Sequence, residues 1–166
     1  MNVPPDNYSE YSTSTTLAKV VGLKDLIPFY EYYGSLAAVS GKTEFTTINE
    51  LKDRFSAEMG HRTSIYKYGS VEIEDGKVAV AAGGGNIPDL LEEIATEGVN
   101  TFVTGVTIKN INTQPAHDYA EQNGINILGG THYSTEKPAC QAMCGYFKKI
   151  GLPAEFIEGE PTLEDL

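Results

Sequence analysis

His132 and Glu136 stand four residues apart in Thr131-His132-Tyr133-Ser134-Thr135-Glu136. An imidazole and a carboxylate at that spacing, at a strand-to-helix junction, can reach one point and begin a divalent-metal site. Gly129-Gly130 just before them lets the backbone turn sharply. Ser134 and Thr135 are placed to cap the helix or to orient a ligand. A plainer reading makes Thr135 an N-cap, Glu136 a first-turn carboxylate that suits the helix dipole, and His132 a loop histidine. Spacing alone leaves both readings open, because a metal usually takes three or four protein ligands.

Gly83-Gly84-Gly85-Asn86 is the second feature that could do chemistry. A glycine run between a strand and a helix exposes backbone N–H groups, which suits phosphate or another cofactor anion. It lacks the Lys-Ser/Thr of a Walker loop and the G-x-G-x-x-G fingerprint, so a tight turn beside the site is the competing reading. His61, after Gly60, reads as an exposed loop residue, and His117 as a helix-surface residue. Cys140 and Cys144, four apart in a helix-like stretch, have poor geometry for a disulfide and read as half-buried thiols. Tyr30, Tyr32 and Tyr33 read as amphipathic sheet or interface residues.

The elements that position these residues follow from periodicity and punctuation. Thr47-Ile48-Asn49-Glu50 is a capping box, and Ile48, Leu51, Phe55 and Met59 fall on one face of the helix it opens. Leu17, Val20 and Val21 give an earlier helix over 14–21. Strands are expected at 28–33, 35–40, 64–68, 77–82, 101–105 and 125–128, with a last one at Ala154–Ile157. Asn86 is placed to cap a helix to about Thr96, a further helix lies near 114–122, and the last spans about 135–150. Its Ala139, Ala142, Met143, Tyr146, Phe147 and Ile150 form one apolar stripe. The strand–helix alternation from Lys77 to Ile150 implies an α/β fold with a mainly parallel sheet and helices on its faces. Sites in such sheets lie at the carboxyl ends of the strands, which selects the loops 83–86, 104–109 and 129–136.

The chain of 166 residues carries a net charge of −11, which opposes nucleic acid or an anionic membrane surface as partner. It is long enough for one domain with its own core. Its first residues lack a signal pattern, and no apolar run approaches membrane-spanning length. The expected setting is therefore the cytoplasm.

The stretch from Val99 to Glu136, with Thr104-Gly105 after one strand and His132-Tyr133-Ser134-Thr135-Glu136 after the next, resembles the Nif-three-like family. Members of that family are described as dinuclear-metal, hexamer-forming proteins, some as "GTP cyclohydrolase 1 type 2 homolog". Val78–Gly85 is similar to the family's apolar strand and glycine-rich turn. Asp6, ahead of Leu17-Ala18-Lys19-Val20-Val21-Gly22-Leu23, matches its early aspartate. The resemblance implies metal ligation by His132 and Glu136, with Asp6 as a bridging carboxylate. It also implies a divalent ion (zinc, iron or manganese), a homo-oligomer, and a metal-dependent hydrolase of a small phosphate- or nucleotide-like substrate. The alternative is a non-catalytic assembly or regulatory protein. The match covers the later part of the family's sequence, so the expectation is a single domain over 1–166 lacking the family's earlier His-His segment. Thr131 replaces the usual Gly before the His, and Val106 the usual Asp after Thr-Gly.

Overall fold

The computed structural model describes residues 8–166, so the Asp6 singled out above lies outside the described residues. Helix α1 (Thr13–Val20) leads into a hairpin of β1 (Lys24–Tyr32) and β2 (Ser35–Lys42). Its two-residue turn, Tyr33-Gly34, has positive φ at both positions, the primed geometry that matches strand twist. Helix α2 (Ile48–Met59) follows, opened by the expected capping box and closed by Gly60 at φ 74°. Then come β3 (Ser64–Tyr66), β4 (Lys77–Ala81), α3 (Pro88–Thr96), β5 (Thr101–Thr104), α4 (Gln114–Asn123), β6 (Asn126–Gly129) and α5 (His132–Lys149).

The six strands form one sheet in the order β1-β2-β4-β5-β6-β3. The α/β class holds, and the strand–helix repeat makes its parallel centre, β4-β5-β6. The flanking pairs β1-β2, β2-β4 and β3-β6 are antiparallel, so the sheet is mixed. A two-residue hairpin can join strands only antiparallel, whereas each parallel step needs a crossover helix.

Period-two alternation divides the core between the two faces of the sheet. Val78, Val80, Val103 and Leu128 pack with Leu17 of α1, its C-cap Val21, and Leu51 and Phe55 of α2. Ala79, Ala81, Phe102 and Ile127 pack with Leu90, Leu91, Ile94, Ala116 and Ala120 from α3 and α4. Buried on both faces, the central strands read as near-continuous apolar runs, as parallel strands do.

Three expectations need correction. No strand forms at Ala154–Ile157, where the segment runs without a ladder partner before a 3-10 turn at Leu163–Asp165. Helix α5 starts at His132, because Thr131 rather than Thr135 is its N-cap and accepts from the Ser134 N–H. The apolar stripe of α5 is covered only in part: Ala139 is buried, while Tyr146, Phe147 and Ile150 are exposed. Helix α1, with 8 residues, packs along the 18-residue α5. At 1.5 Å per residue it reaches only about 12 Å of a roughly 27 Å helix.

Candidate functional site

The three loops after β4, β5 and β6 meet, and the backbone shows how. The Gly83 carbonyl accepts from the N–H groups of Gly105 (3.1 Å) and Val106 (2.9 Å). Gly130 N–H donates to Thr104 O and Thr131 N–H to Gly105 O. Gly83 N–H donates to Thr135 Oγ1 at 3.0 Å. Each loop is thereby fixed to its neighbour at the carboxyl edge of the parallel strands, where α/β sheets place their sites.

His132 occupies the first position of α5 and Glu136 the next turn. His132 Nε2 lies 3.0 Å from Glu136 Oε1, with the side chains 53% and 36% exposed. Both side chains therefore face solvent from one side of the helix, one turn apart. Gly83 lies against them at φ +70°. A Cβ there would sit 2.9 Å from His132 Nε2 and would also overlap Glu136 Oε1. The space beside the two side chains is left open by the absence of a Cβ at Gly83. Among the described residues, no group of three or more His, Cys, Asp or Glu side chains gathers at a metal-binding distance.

The pair borders a cleft of about 760 Å³ also lined by Gly84 and Gly85. Its walls are mostly apolar, with Tyr30, Tyr32, Ile87, Met143 and Phe147, and no Lys or Arg among the described residues lines it. Cys140 and Cys144 line it too, as free thiols, Cys144 half-buried as expected and Cys140 exposed. Burial, and then the Glu136 carboxylate, push the Cys140 thiol pKa up, so it is held as the thiol.

Asn86 departs from expectation. It does not cap α3, whose N-cap is Ile87. Its buried amide lies 3.2 Å from His117 Nε2 instead. His117 is not on the surface either: it is 1% exposed, with Nε2 at 2.9 Å from Thr107 O and Nδ1 at 3.0 Å from Tyr68 Oη. A carbonyl only accepts, so Nε2 carries the proton and Nδ1 accepts from the tyrosine. The Asn86 Oδ1 has no partner as placed; an amide turned by a half rotation would offer that oxygen to the Nε2–H.

Burial pushes the His117 pKa below its ordinary 6.5, outweighing the bond to Thr107. The unfolded chain then takes up the proton first, so stability rises with pH in the window below 6.5. The contribution is complete above that value and is lost as pH falls toward the folded pKa. Urea unfolding between pH 7.5 and 5 is expected to show this loss, with a shallower slope for His117→Gln. An identical pH slope in the two proteins would refute the assignment.

Two contributors carried no local signal. Asp165, in an acidic tail, accepts the His132 N–H with its Oδ2 at 2.8 Å, and its carbonyl accepts from the N–H groups of Thr107 and Ile108. Thr131 holds φ +67° while fully buried, the conformation that turns the chain from β6 into α5.

Comparison with known proteins places this geometry in context. The profile of the Duf34/NIF3 (NGG1p interacting factor 3) family matches residues 3–162. A "GTP cyclohydrolase 1 type 2 homolog" of Deinococcus radiodurans is 26% identical over 161 residues, covering 94% of this chain and 57% of that protein. One of Pyrococcus horikoshii is 27% identical, covering 98% and 62%. The chain thus spans less than two thirds of the length of these relatives. Among solved structures, "protein ybgI, unknown function" superposes with a TM-score of 0.79 at 22% identity, covering 96% of this chain and 60% of that one. TTHA1606 from Thermus thermophilus superposes with a TM-score of 0.77 at 23% identity, with the same coverage of each chain.

Proposed function

The chain belongs to the Duf34/NIF3 family, and from that premise we propose that it binds a divalent metal through His132 and Glu136 and serves as a metal-dependent hydrolase of a small substrate. The observation that carries this reading is the gap at Gly83. An imidazole nitrogen and a carboxylate oxygen converge 3.0 Å apart, and Gly83, which lies against them, has no Cβ to obstruct them. One nitrogen and one oxygen donor suit zinc, iron or manganese. Asp6 is the proposed bridging ligand.

A bound divalent ion would supply Lewis acidity and a hydroxide-like nucleophile at neutral pH. The chain's own residues do the rest. His132 and Glu136 hold the ion at the cleft wall, Asp165 fixes the first turn of α5, and Thr135 fixes Gly83. Gly84, Gly85 and Asn86 are the proposed contacts for the substrate's polar end. With no Lys or Arg on the described wall, a phosphate- or nucleotide-like substrate would rely on the ion and on backbone N–H groups for its countercharge. The apolar wall suits the rest of the molecule.

Metal analysis of purified, dialysed protein tests this reading. His132→Ala and Glu136→Gln are each expected to lower bound metal about tenfold or more, in line with losses of about 10–100-fold for weaker, supporting groups. Equal metal content in wild type and both variants would sink it. The second reading, a homo-oligomeric assembly protein, is favoured by Ile27, Tyr32 and Tyr33, exposed on the edge strand β1 and its turn. It requires a solution mass well above the 18.0 kDa chain, and a monomer in sedimentation would exclude it.

A further inference from the structure

The opposite side of α5 carries a second set of reactive groups. Ser134 Oγ lies 2.7 Å from His61 Nε2, and His61 Nδ1 lies 2.7 Å from the Arg62 carbonyl oxygen. That carbonyl can only accept, so Nδ1 carries a proton, and in the neutral imidazole Nε2 is bare. In that form Nε2 accepts the Ser134 hydroxyl proton. The Thr131 hydroxyl donates to Ser134 Oγ at 3.0 Å, which fixes the oxygen from the other side. Nucleophile, base and an acceptor that orients the base therefore stand in hydrogen-bonded order.

These groups open on their own cavity of about 530 Å³, lined by His61, Ser134, Glu58, Lys137, Glu158 and Glu160 among others. It shares no lining residue with the cleft of His132 and Glu136. Helix capping does not account for the arrangement, because the cap uses the Ser134 N–H and leaves the hydroxyl proton to His61.

We propose that Ser134 and His61 form a serine nucleophile and general base that accept an acyl group from a small carboxylic ester. Ser134 Oγ attacks the ester carbonyl carbon while its proton passes to His61 Nε2. The carbon–alkoxy bond breaks, and the leaving alcohol takes that proton. Water then attacks the acyl-serine, giving a proton to Nε2, and the carboxylic acid leaves as the proton returns to Oγ. Negative charge develops at the first turn of α5, the end of the helix dipole that favours it. Three wall carboxylates against one lysine select an uncharged or cationic ester over an anionic one.

The test is labelling with an uncharged organofluorophosphonate, which loses fluoride to an activated serine, read by intact mass and peptide mapping. Wild-type protein is expected to gain one adduct per chain, at Ser134. Ser134→Ala removes it, and His61→Gln slows it by about 100-fold or more, the usual contribution of a general base. A metal chelator leaves the labelling unchanged, which separates this site from the metal pair. Circular dichroism of both variants checks their fold, and the wild-type mapping decides alone if either fails. No adduct beyond that of the urea-unfolded chain, an adduct elsewhere, or His61→Gln labelling at the wild-type rate would each overturn the proposal.

Discussion

Gly83→Ala is expected to give a folded protein whose metal affinity falls by about a hundredfold or more, since both proposed ligands must move. The new Cβ would stand 2.9 Å from His132 Nε2 and overlap Glu136 Oε1. The ends of both side chains can swing aside into solvent, so the fold survives. They can do so only by giving up the separation at which they face a common ion. The φ of +70° adds a left-handed strain of about 1–2 kcal/mol for an alanine. Gly98→Ala is the matched control: φ is +66° and nothing lies within 4 Å of its Cβ position. It carries the same backbone strain and should keep its metal. Calorimetric titration with zinc or manganese reads the difference, and wild-type affinity in Gly83→Ala would refute the metal pair.

The largest loss of stability is expected from Phe55→Ala. Phe55 is fully buried against the α1–α2 face of the sheet, and such truncations cost about 3–5 kcal/mol. At this chain length that corresponds to a fall in Tm of roughly 10 °C. Its ring also lies under the turn that precedes His132: a Cβ on Gly130 would overlap Phe55 Cζ and come within 3.1 Å of two further ring atoms. Gly130→Ala alone should therefore destabilise by overpacking, about 1–3 kcal/mol. In the Phe55→Ala background the same methyl meets a cavity, so its penalty should vanish. Denaturant unfolding of the four proteins gives the coupling, expected at roughly 1–3 kcal/mol. Additive penalties would show that ring and turn are independent.

What could be read from the chain alone divides by the range of the interaction. The capping box at Thr47–Glu50, the stop at Gly60 and the strand–helix repeat from Lys77 are local, and all are present in the fold. The meeting of the 83–86, 104–109 and 129–136 loops followed from the rule for parallel sheets. His117 was misread because Ala116-His117-Asp118-Tyr119 has no feature marking which polar residue turns inward. That is decided by Tyr68 and Thr107, 49 and 10 residues away in sequence. Asn86 had the composition of a helix cap, but the imidazole across the layer draws its amide away. The partnership of His61 with Ser134 spans 73 residues and had no local trace. Ser134 and Thr135 read as a helix cap or as groups that orient a ligand, and neither reading shows that Thr135 holds Gly83. The family resemblance assigned the metal roles to His132 and Glu136, and the spacing of the pair did not.

The tie made by Asp165 bears on when the turn that carries His132 matures during synthesis. Its three N–H donors lie 33 residues upstream, at His132, and 57 and 58 upstream, at Ile108 and Thr107. Contacts of that separation require loop closure before they return any energy, and they form after the local helices and hairpins. A chain still emerging from the ribosome can complete β4-β5-β6 and much of α5 while the first N–H of that helix waits for its acceptor. On the proposed metal reading, an ion taken up before residue 165 arrives would meet His132 while its N–H lacks its acceptor, although Thr131 already caps the Ser134 N–H, so loading and completion of the fold would be coupled in time.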